Sequence, residues 1–408
     1  MDNSPYQVLG ISPHKLYGRH HDLTKFLSRL HKARPEHISL VGHRGFGKSV
    51  FLRAVAEQAV NKTFAACIYW DLKRCSINSD SDFYKQFAIE LAGPMRTIHP
   101  ELAKLLSGQD TEMFETLNIV FETLEEESKT LLIILDGIDE ILLEEGLSKN
   151  LWDHLRSLAE RSSACFVTAT RRRLRELLAG DSRTSPFWNI FSDTPTILSS
   201  FSDADWIEIL APFENAKIAF STGARTELIN WTGGVPLLVA ALCRYVWQHC
   251  DQGTTLTNEE INEFGDKCYE DFEEYFQLLW DDCTEDQRGD FVNLVEKGSL
   301  PSTSMAARSR TGLKERGFIK EASATLKPSC RFMERYARDY GSRSSYIRLL
   351  FAADSDFENN IKSTLQLRFE QTDKLDSELR DYLRQSIDSL GKPVMVVNPI
   401  RAFANRIL

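Results

Sequence analysis

The chain lacks any apolar stretch long enough to cross a membrane. Its longer runs, such as Leu131–Leu135 and Leu237–Leu242, fall far short of the ~20 residues a spanning helix needs. It also lacks an apolar leader: Met1-Asp2-Asn3-Ser4-Pro5 opens a segment rich in His, Lys, Arg and Asp, so no secretory signal is expected. None of the eight cysteines forms a Cys-x-x-Cys pair, which leaves a zinc site without support. Reduced, mostly buried thiols in a cytoplasmic protein without a membrane partner are the expectation. Positive charge is scarce too. Lys and Arg number 49 against 59 Asp and Glu, a net charge of −10 over 408 residues. That balance excludes a protein that coats nucleic acid with its whole surface. A hydrophobic content of 42% and a charged content of 26% are those of an ordinary globular protein, long enough for more than one core. No internal repeat, heptad run or low-complexity segment is apparent.

What is present is chemically pointed. Residues 37–49 read His-Ile-Ser-Leu-Val-Gly-His-Arg-Gly-Phe-Gly-Lys-Ser and fit G-x-x-x-x-G-K-[ST]. A β-prone run (Ile38, Leu40, Val41) precedes the glycines, and a breaker-free helical segment, Val50–Ala56, follows them. Glycines let the backbone turn its N–H groups inward on phosphates, and the helix N-terminus adds partial positive charge. Gly42, His43, Arg44, Gly45, Phe46, Gly47, Lys48, Ser49 and Val50 form the expected phosphate cradle. Lys48 would reach the β- and γ-phosphates and Ser49 would ligate Mg²⁺.

A second strand is expected where five apolar residues, Leu131–Leu135, end on Asp136. Ligands of open α/β sheets bind at the carboxyl ends of strands, so Asp136 is assigned with Ser49 to the magnesium. Gly137 stands where many such ATPases carry a glutamate. Glu140 is the first choice for orienting the attacking water, and Asp139 the second. Phe64–Asp71, Ser163–Arg171 and Thr196–Leu198 read as further strands. The second of these would place Thr168, Thr170 and Arg171 near the terminal phosphate, where Arg171 could stabilise transition-state charge. The fold class expected is α/β: a parallel P-loop NTPase sheet with helices on both faces, then a helical lid, a winged helix and a mostly helical C-terminal domain.

Two further segments carry a family resemblance. Leu16-Tyr17-Gly18-Arg19-His20-His21-Asp22-Leu23 precedes the glycine loop, and Trp231-Thr232-Gly233-Gly234-Val235-Pro236 follows the last strand. With the two nucleotide motifs, in this order, they resemble the STAND and archaeal-ATPase branch of AAA+-like P-loop ATPases over about residues 5–340. The resemblance implies that Gly18 and Arg19 lie near the base and sugar, and that Pro236 of a lid packs near the nucleotide. It implies ATP and Mg²⁺ as cofactors and a switch between ATP and ADP states. A homo-oligomer or a partner effector protein would read that switch. Bacterial relatives of this kind often serve anti-phage defence or regulation. The absent guanine-specifying Asn/Thr-Lys-x-Asp motif favours ATP. The chain departs from the wider AAA+ pattern in having no obvious lid arginine near Pro236.

The domains expected are an ATPase core (1–200), a helical lid (201–284), a winged-helix-like domain (285–345) and a C-terminal, mostly helical domain for oligomerisation or partner binding (346–408). Charge is sharply divided across them. Asp251–Asp290 holds fourteen acids and two bases, a net −12, whereas Arg308–Arg348 holds eleven bases and four acids, a net +7. Arg308, Arg310, Lys314 and Arg316 admit three readings: contacts to DNA phosphates, docking against the acidic helices, or a solvated face. A DNA-binding initiator or loader that uses ATP is therefore the alternative function.

Overall fold

The structure, a computed structural model, describes residues 4–341 apart from 9–14, 61–62, 109–112, 143, 145, 178–184 and 192–193. The helices and short strand expected within 346–408 lie outside the described residues.

Five strands form a wholly parallel sheet: β1 (Ile38–Gly42), β2 (Ala66–Asp71), β3 (Leu131–Asp136), β4 (Ala164–Thr170) and β5 (Thr196–Leu198), in the order β2-β3-β4-β1-β5. Because all run the same way, their carboxyl ends share one edge. Register then sets Asp71 of β2 opposite Asp136 of β3, and Asp136 opposite Ala169 of β4. β3 is apolar up to its terminal Asp136 because both of its faces are covered, as parallel sheets require. Successive side chains alternate. Leu132 and Ile134 pack with Phe26, Phe51 and Val55, which come from helices α1 (His20–Leu30) and α2 (Lys48–Ala59). Leu131, Ile133 and Leu135 face the opposite layer, where the helices Asp80–Ile98, Met113–Glu126 and Lys149–Glu160 contribute Phe87, Phe121 and Trp152.

Residues beyond β5 build a second, mostly helical body. Its helices Asp205–Asn215, Thr222–Thr232, Pro236–His249, Asn258–Asp271, Glu273–Asp281, Glu285–Lys297, Ala307–Glu315 and Arg331–Tyr336 surround one apolar cluster. Capping boxes fix two of their starts. Thr257 exchanges hydrogen bonds with Glu260, and Thr284 with Gln287. A hairpin of Ile319–Ala322 and Thr325–Pro328, joined edgewise by Leu300–Pro301, completes the body. Its two turn residues, Ser323 and Ala324, both adopt positive φ, as a tight two-residue hairpin turn demands.

Apolar packing runs through residue 285 without a break: Phe332 stacks on Phe276 at 5.1 Å and lies 4.9 Å from Trp231. The same cluster takes in Tyr6 and Val8 from the N-terminal segment and Phe46 from the glycine loop. The loop is thus anchored in the second body as well as on the sheet. Among the described residues no helix is long and apolar enough to cross a membrane. All eight cysteines are free, six of them buried.

Candidate nucleotide site

The loop between β1 and α2 turns through Gly45 and Gly47, at φ 78° and 77°. Those conformations are open to glycine at no steric cost and bring the loop onto the first turn of α2. A cavity of about 600 Å³ opens beside it. Arg44, Gly45, Phe46, Gly47, Lys48, Ser49 and Val50 all line this cavity. So do Arg19, Asp139, Glu140, Arg171 and Pro236, which come from four separate places in the chain. Eight of the lining residues are Lys or Arg and three are Asp or Glu, an excess suited to a polyanion. Apolar side chains, among them Val8, Tyr17, Phe201, Ile209 and Val239, make up another part of the lining.

Lys48 is buried, and its ammonium donates to the carbonyl oxygens of Gly42 at 2.5 Å and His43 at 3.1 Å. Burial pushes its pKa down to about 8. Asp136 is fully buried at the end of β3. Its Oδ2 accepts the Ser49 hydroxyl at 2.5 Å and the Tyr69 hydroxyl at 2.6 Å, and its Oδ1 accepts the Lys73 ammonium at 3.0 Å. Burial alone would raise the Asp136 pKa. The charge of Lys73 and the hydrogen bonds from Ser49, Tyr69 and Lys73 outweigh it and hold the carboxyl below its usual range. The pairing of Ser49 Oγ with the Asp136 carboxylate joins two hard oxygens beside a phosphate-sized opening. That donor set fits Mg²⁺, which is commonly held by one or two protein oxygens and the phosphates of its ligand. No group of three or more His, Cys, Asp or Glu able to hold a metal occurs among the described residues.

Arg171, Asp139 and Glu140 meet in the cavity lining. The Arg171 guanidinium pairs with Glu140 and lies 3.6 Å from Asp139 Oδ2, which also accepts the Arg171 backbone N–H at 3.3 Å. Burial raises the Asp139 pKa, opposed by Arg171. Both expected water-orienting acids are thus tied to one arginine.

Several expected residues are placed differently. Thr170 is fully buried, its hydroxyl donates to the Arg172 carbonyl at 2.6 Å, and it lies outside the cavity lining. The turn after β4 uses the hydroxyl that was expected at the phosphate. Thr168 is likewise buried. His43 gives the cradle its carbonyl, but its ring turns to the helical body, 3.6 Å from Asp282 and 4.0 Å from Glu315. Arg19 borders the cavity while its guanidinium is spent on structure: it bonds Asp22 at 3.3 Å and the Ser199 carbonyl, and stacks 4.7 Å from the Phe201 ring. Gly18, at φ 68°, packs on Asp205 outside the lining. Arg316 is 2% exposed and cannot reach a DNA phosphate. Its guanidinium is instead buried on Asp282, 2.7 Å from Oδ2. The other three basic residues have internal partners: Arg308 with Glu176, Arg310 with the Ser302 carbonyl, and Lys314 with Glu321.

Lys73, Tyr69 and Asp282 were not foreseen. Lys73 and Tyr69 carry the one available signal, a position at or near the carboxyl end of a strand neighbouring that of Asp136. Asp282 carries none, since it meets the glycine loop across 238 residues of chain.

Residues 15–186 match the AAA ATPase domain family. Among solved structures, a Walker-type ATPase of Pyrococcus abyssi is 14% identical, covering 81% of this chain and 100% of its own, with a TM-score of 0.52. The Aeropyrum pernix ORC2 protein, in ADPNP–ADP complexes, is 10% identical, covering 85% and 98%, with a TM-score of 0.54. No curated protein matches the chain in sequence. The segment is similar to that ATPase domain family, and the two structures share the P-loop NTPase fold with this chain.

Proposed function

We propose that the protein is an ATP-binding, slowly hydrolysing molecular switch of the STAND-like kind. Its second body acts as a helical lid (201–284) and a winged-helix-like module (285–345). The observation that carries this reading is one carboxylate shared between the two bodies. Asp282 Oδ2 accepts the backbone N–H of Arg44 in the glycine loop at 3.3 Å and the Arg316 guanidinium at 2.7 Å. Any movement of the loop on binding phosphates is felt at Asp282 and hence at the helix that ends in Arg316.

In this reading the base sits against the apolar part of the lining near Tyr17 and Phe201, under Pro236, with the phosphates along the glycine loop. Lys48 leaves its carbonyl partners for the phosphates. Ser49 and Asp136 would hold Mg²⁺, which would supply positive charge beside the phosphates. Glu140, or Asp139, orients a water once Arg171 has turned from them toward the terminal phosphate. The lid and winged-helix module then differ in contacts between ATP and ADP states, which is what a two-state switch needs. A homo-oligomer or a partner effector protein reads the difference.

The test is the mass of the protein in solution with ADP, with ATP and with a non-hydrolysable analogue. The reading expects a nucleotide-dependent change in assembly or in partner capture. One unchanged mass, with no change in protection of the lid, contradicts it.

The alternative, a DNA-binding initiator or loader, retains Arg308, whose side chain is 77% exposed. The burial of Arg316 and the acidic partners of Arg308 and Lys314 favour the switch.

A further inference from the structure

Lys73 lies just past the end of β2, in the turn Leu72–Arg74. Its ammonium is 3.0 Å from Asp136 Oδ1 and 3.1 Å from Ser49 Oγ. Those are the two side chains whose oxygens would hold a divalent cation. A positive charge already bridges them, on a side chain that is 37% exposed.

The path of that side chain explains a peculiarity of the next strand. Gly137 follows Asp136 at φ 79°, and a Cβ there would lie 2.5 Å from Cε and 2.6 Å from Cγ of Lys73. The aliphatic stem of Lys73 therefore runs through the space that any side chain at 137 would occupy. Glycine at this position, where a glutamate is common in similar ATPases, is what lets the lysine lie across the strand end.

We propose that Lys73 is a built-in cation that takes the magnesium position whenever metal is not bound, with Gly137 as its channel, so that metal enters by displacing a lysine. This rests on the reading of the cavity as a magnesium–nucleotide site. Three consequences follow from charge. First, the buried Asp136 carboxylate is never without a cation, in a place where an unpaired charge would be costly. Second, nucleotide arriving without metal still meets a positive charge at this position. Third, Mg²⁺ must compete with a tethered ammonium, so the protein needs the metal less for binding nucleotide than a site with an empty oxygen pair would.

The experiment is equilibrium binding of a fluorescent ATP analogue to the full chain, in Mg²⁺ and again in EDTA. The quantity read is the ratio of the two affinities. Lys73→Met is expected to raise that ratio by about tenfold, the scale of one lost charge-assisted contact. It does so by weakening binding in EDTA while binding in Mg²⁺ holds or tightens. Lys73→Arg, which keeps a cation, stays nearer to wild type. Gly137→Ala moves the ratio in the direction of Lys73→Met because its methyl blocks the stem. A second readout needs no nucleotide: millimolar Mg²⁺ alone raises the melting temperature of Lys73→Met more than that of wild type, since the metal replaces a missing charge. An unchanged ratio in Lys73→Met, with binding intact and no added response to Mg²⁺, overturns the inference. Failure of the wild type to bind the analogue in either condition overturns the nucleotide reading beneath it instead.

Discussion

Arg316 grips Asp282 twice, with Nη1 2.7 Å from the carboxylate and Nη2 2.7 Å from the backbone carbonyl. Both side chains are nearly sealed from water, at 3% and 9% exposure. The acid also touches the glycine loop through His43 and the Arg44 N–H. A pair so buried contributes little net stability against an apolar substitute of the same shape, yet losing one partner strands the other's charge.

Arg316→Met is accordingly expected to cost about 3–5 kcal/mol in chemical denaturation. The double variant Arg316→Met with Asp282→Asn should recover a large part of that loss. The four proteins of the double-mutant cycle measure the coupling directly. Additive losses would show that the two residues act separately.

The latch has two acid-side windows of opposite origin. Burial pushes the Asp282 carboxyl up, but the neighbouring His43 ring and the Arg316 guanidinium together hold it well below the usual carboxylate range. A depressed acid gives stability that is fully present above its unfolded pKa of ~3.9 and is lost as pH falls through the folded value. The stability gap between wild type and Asp282→Asn should thus be flat above about pH 5 and shrink below about 4. His43 differs. Burial lowers its pKa from 6.5, so the unfolded chain takes the proton first. Stability falls as pH drops below the unfolded value, and His43→Gln should remove a share of that slope. Thermal melts between pH 3 and 8, values chosen only to bracket these windows, check both signs.

The two nucleotide motifs should separate in their effects. Lys48→Ala is expected to weaken ATP-analogue binding by at least about tenfold, through loss of a charge-assisted contact to phosphate. Glu140→Gln should leave binding near wild type and abolish multiple-turnover phosphate release. If Asp139→Asn abolishes release and Glu140→Gln does not, the water-orienting role passes to Asp139. Release unaffected by either substitution would remove both from the chemistry.

DNA binding, if it belongs to this protein, carries an electrostatic signature. Phosphate contacts make affinity fall steeply with salt, and Arg308→Ala with Lys314→Ala would lower that slope by about one charge each. The expectation from their internal partners, Glu176 and Glu321, is weak binding with a shallow slope. A steep slope that these substitutions flatten would restore the initiator reading.

The parts legible in sequence are those whose chemistry is local. Gly42 to Ser49 show the cradle because turn, lysine and hydroxyl are consecutive. The apolar run ending on Asp136 shows a buried strand because nothing else in a P-loop protein needs five such residues before an acid. The sheet followed from such runs, with strand starts displaced by a residue or two, as at Ala66 where Phe64 was expected. The bridge from Lys73 to Asp136 needs the register of β2 on β3, which no local pattern states. Thr170 misled because the end of β4 is at the right edge, yet the turn after it takes the hydroxyl. The charge division at 251–348 was visible, but its meaning was not. Opposite signs resolve into specific pairs, Arg335 with Asp266 and Arg316 with Asp282, while Arg331 reaches back to Glu227. Much of the basic run is consumed in docking.

The most direct test of the switch is hydrogen exchange of the amides around Asp281–Thr284 and Ala307–Gly317, compared in nucleotide-free protein, with ADP, and with a non-hydrolysable ATP analogue. The expected result is protection that differs between the ADP and ATP-analogue states in both segments, and that Asp282→Asn erases. Equal protection in all three conditions, with nucleotide demonstrably bound, would contradict the claim that the helical body reads the glycine loop.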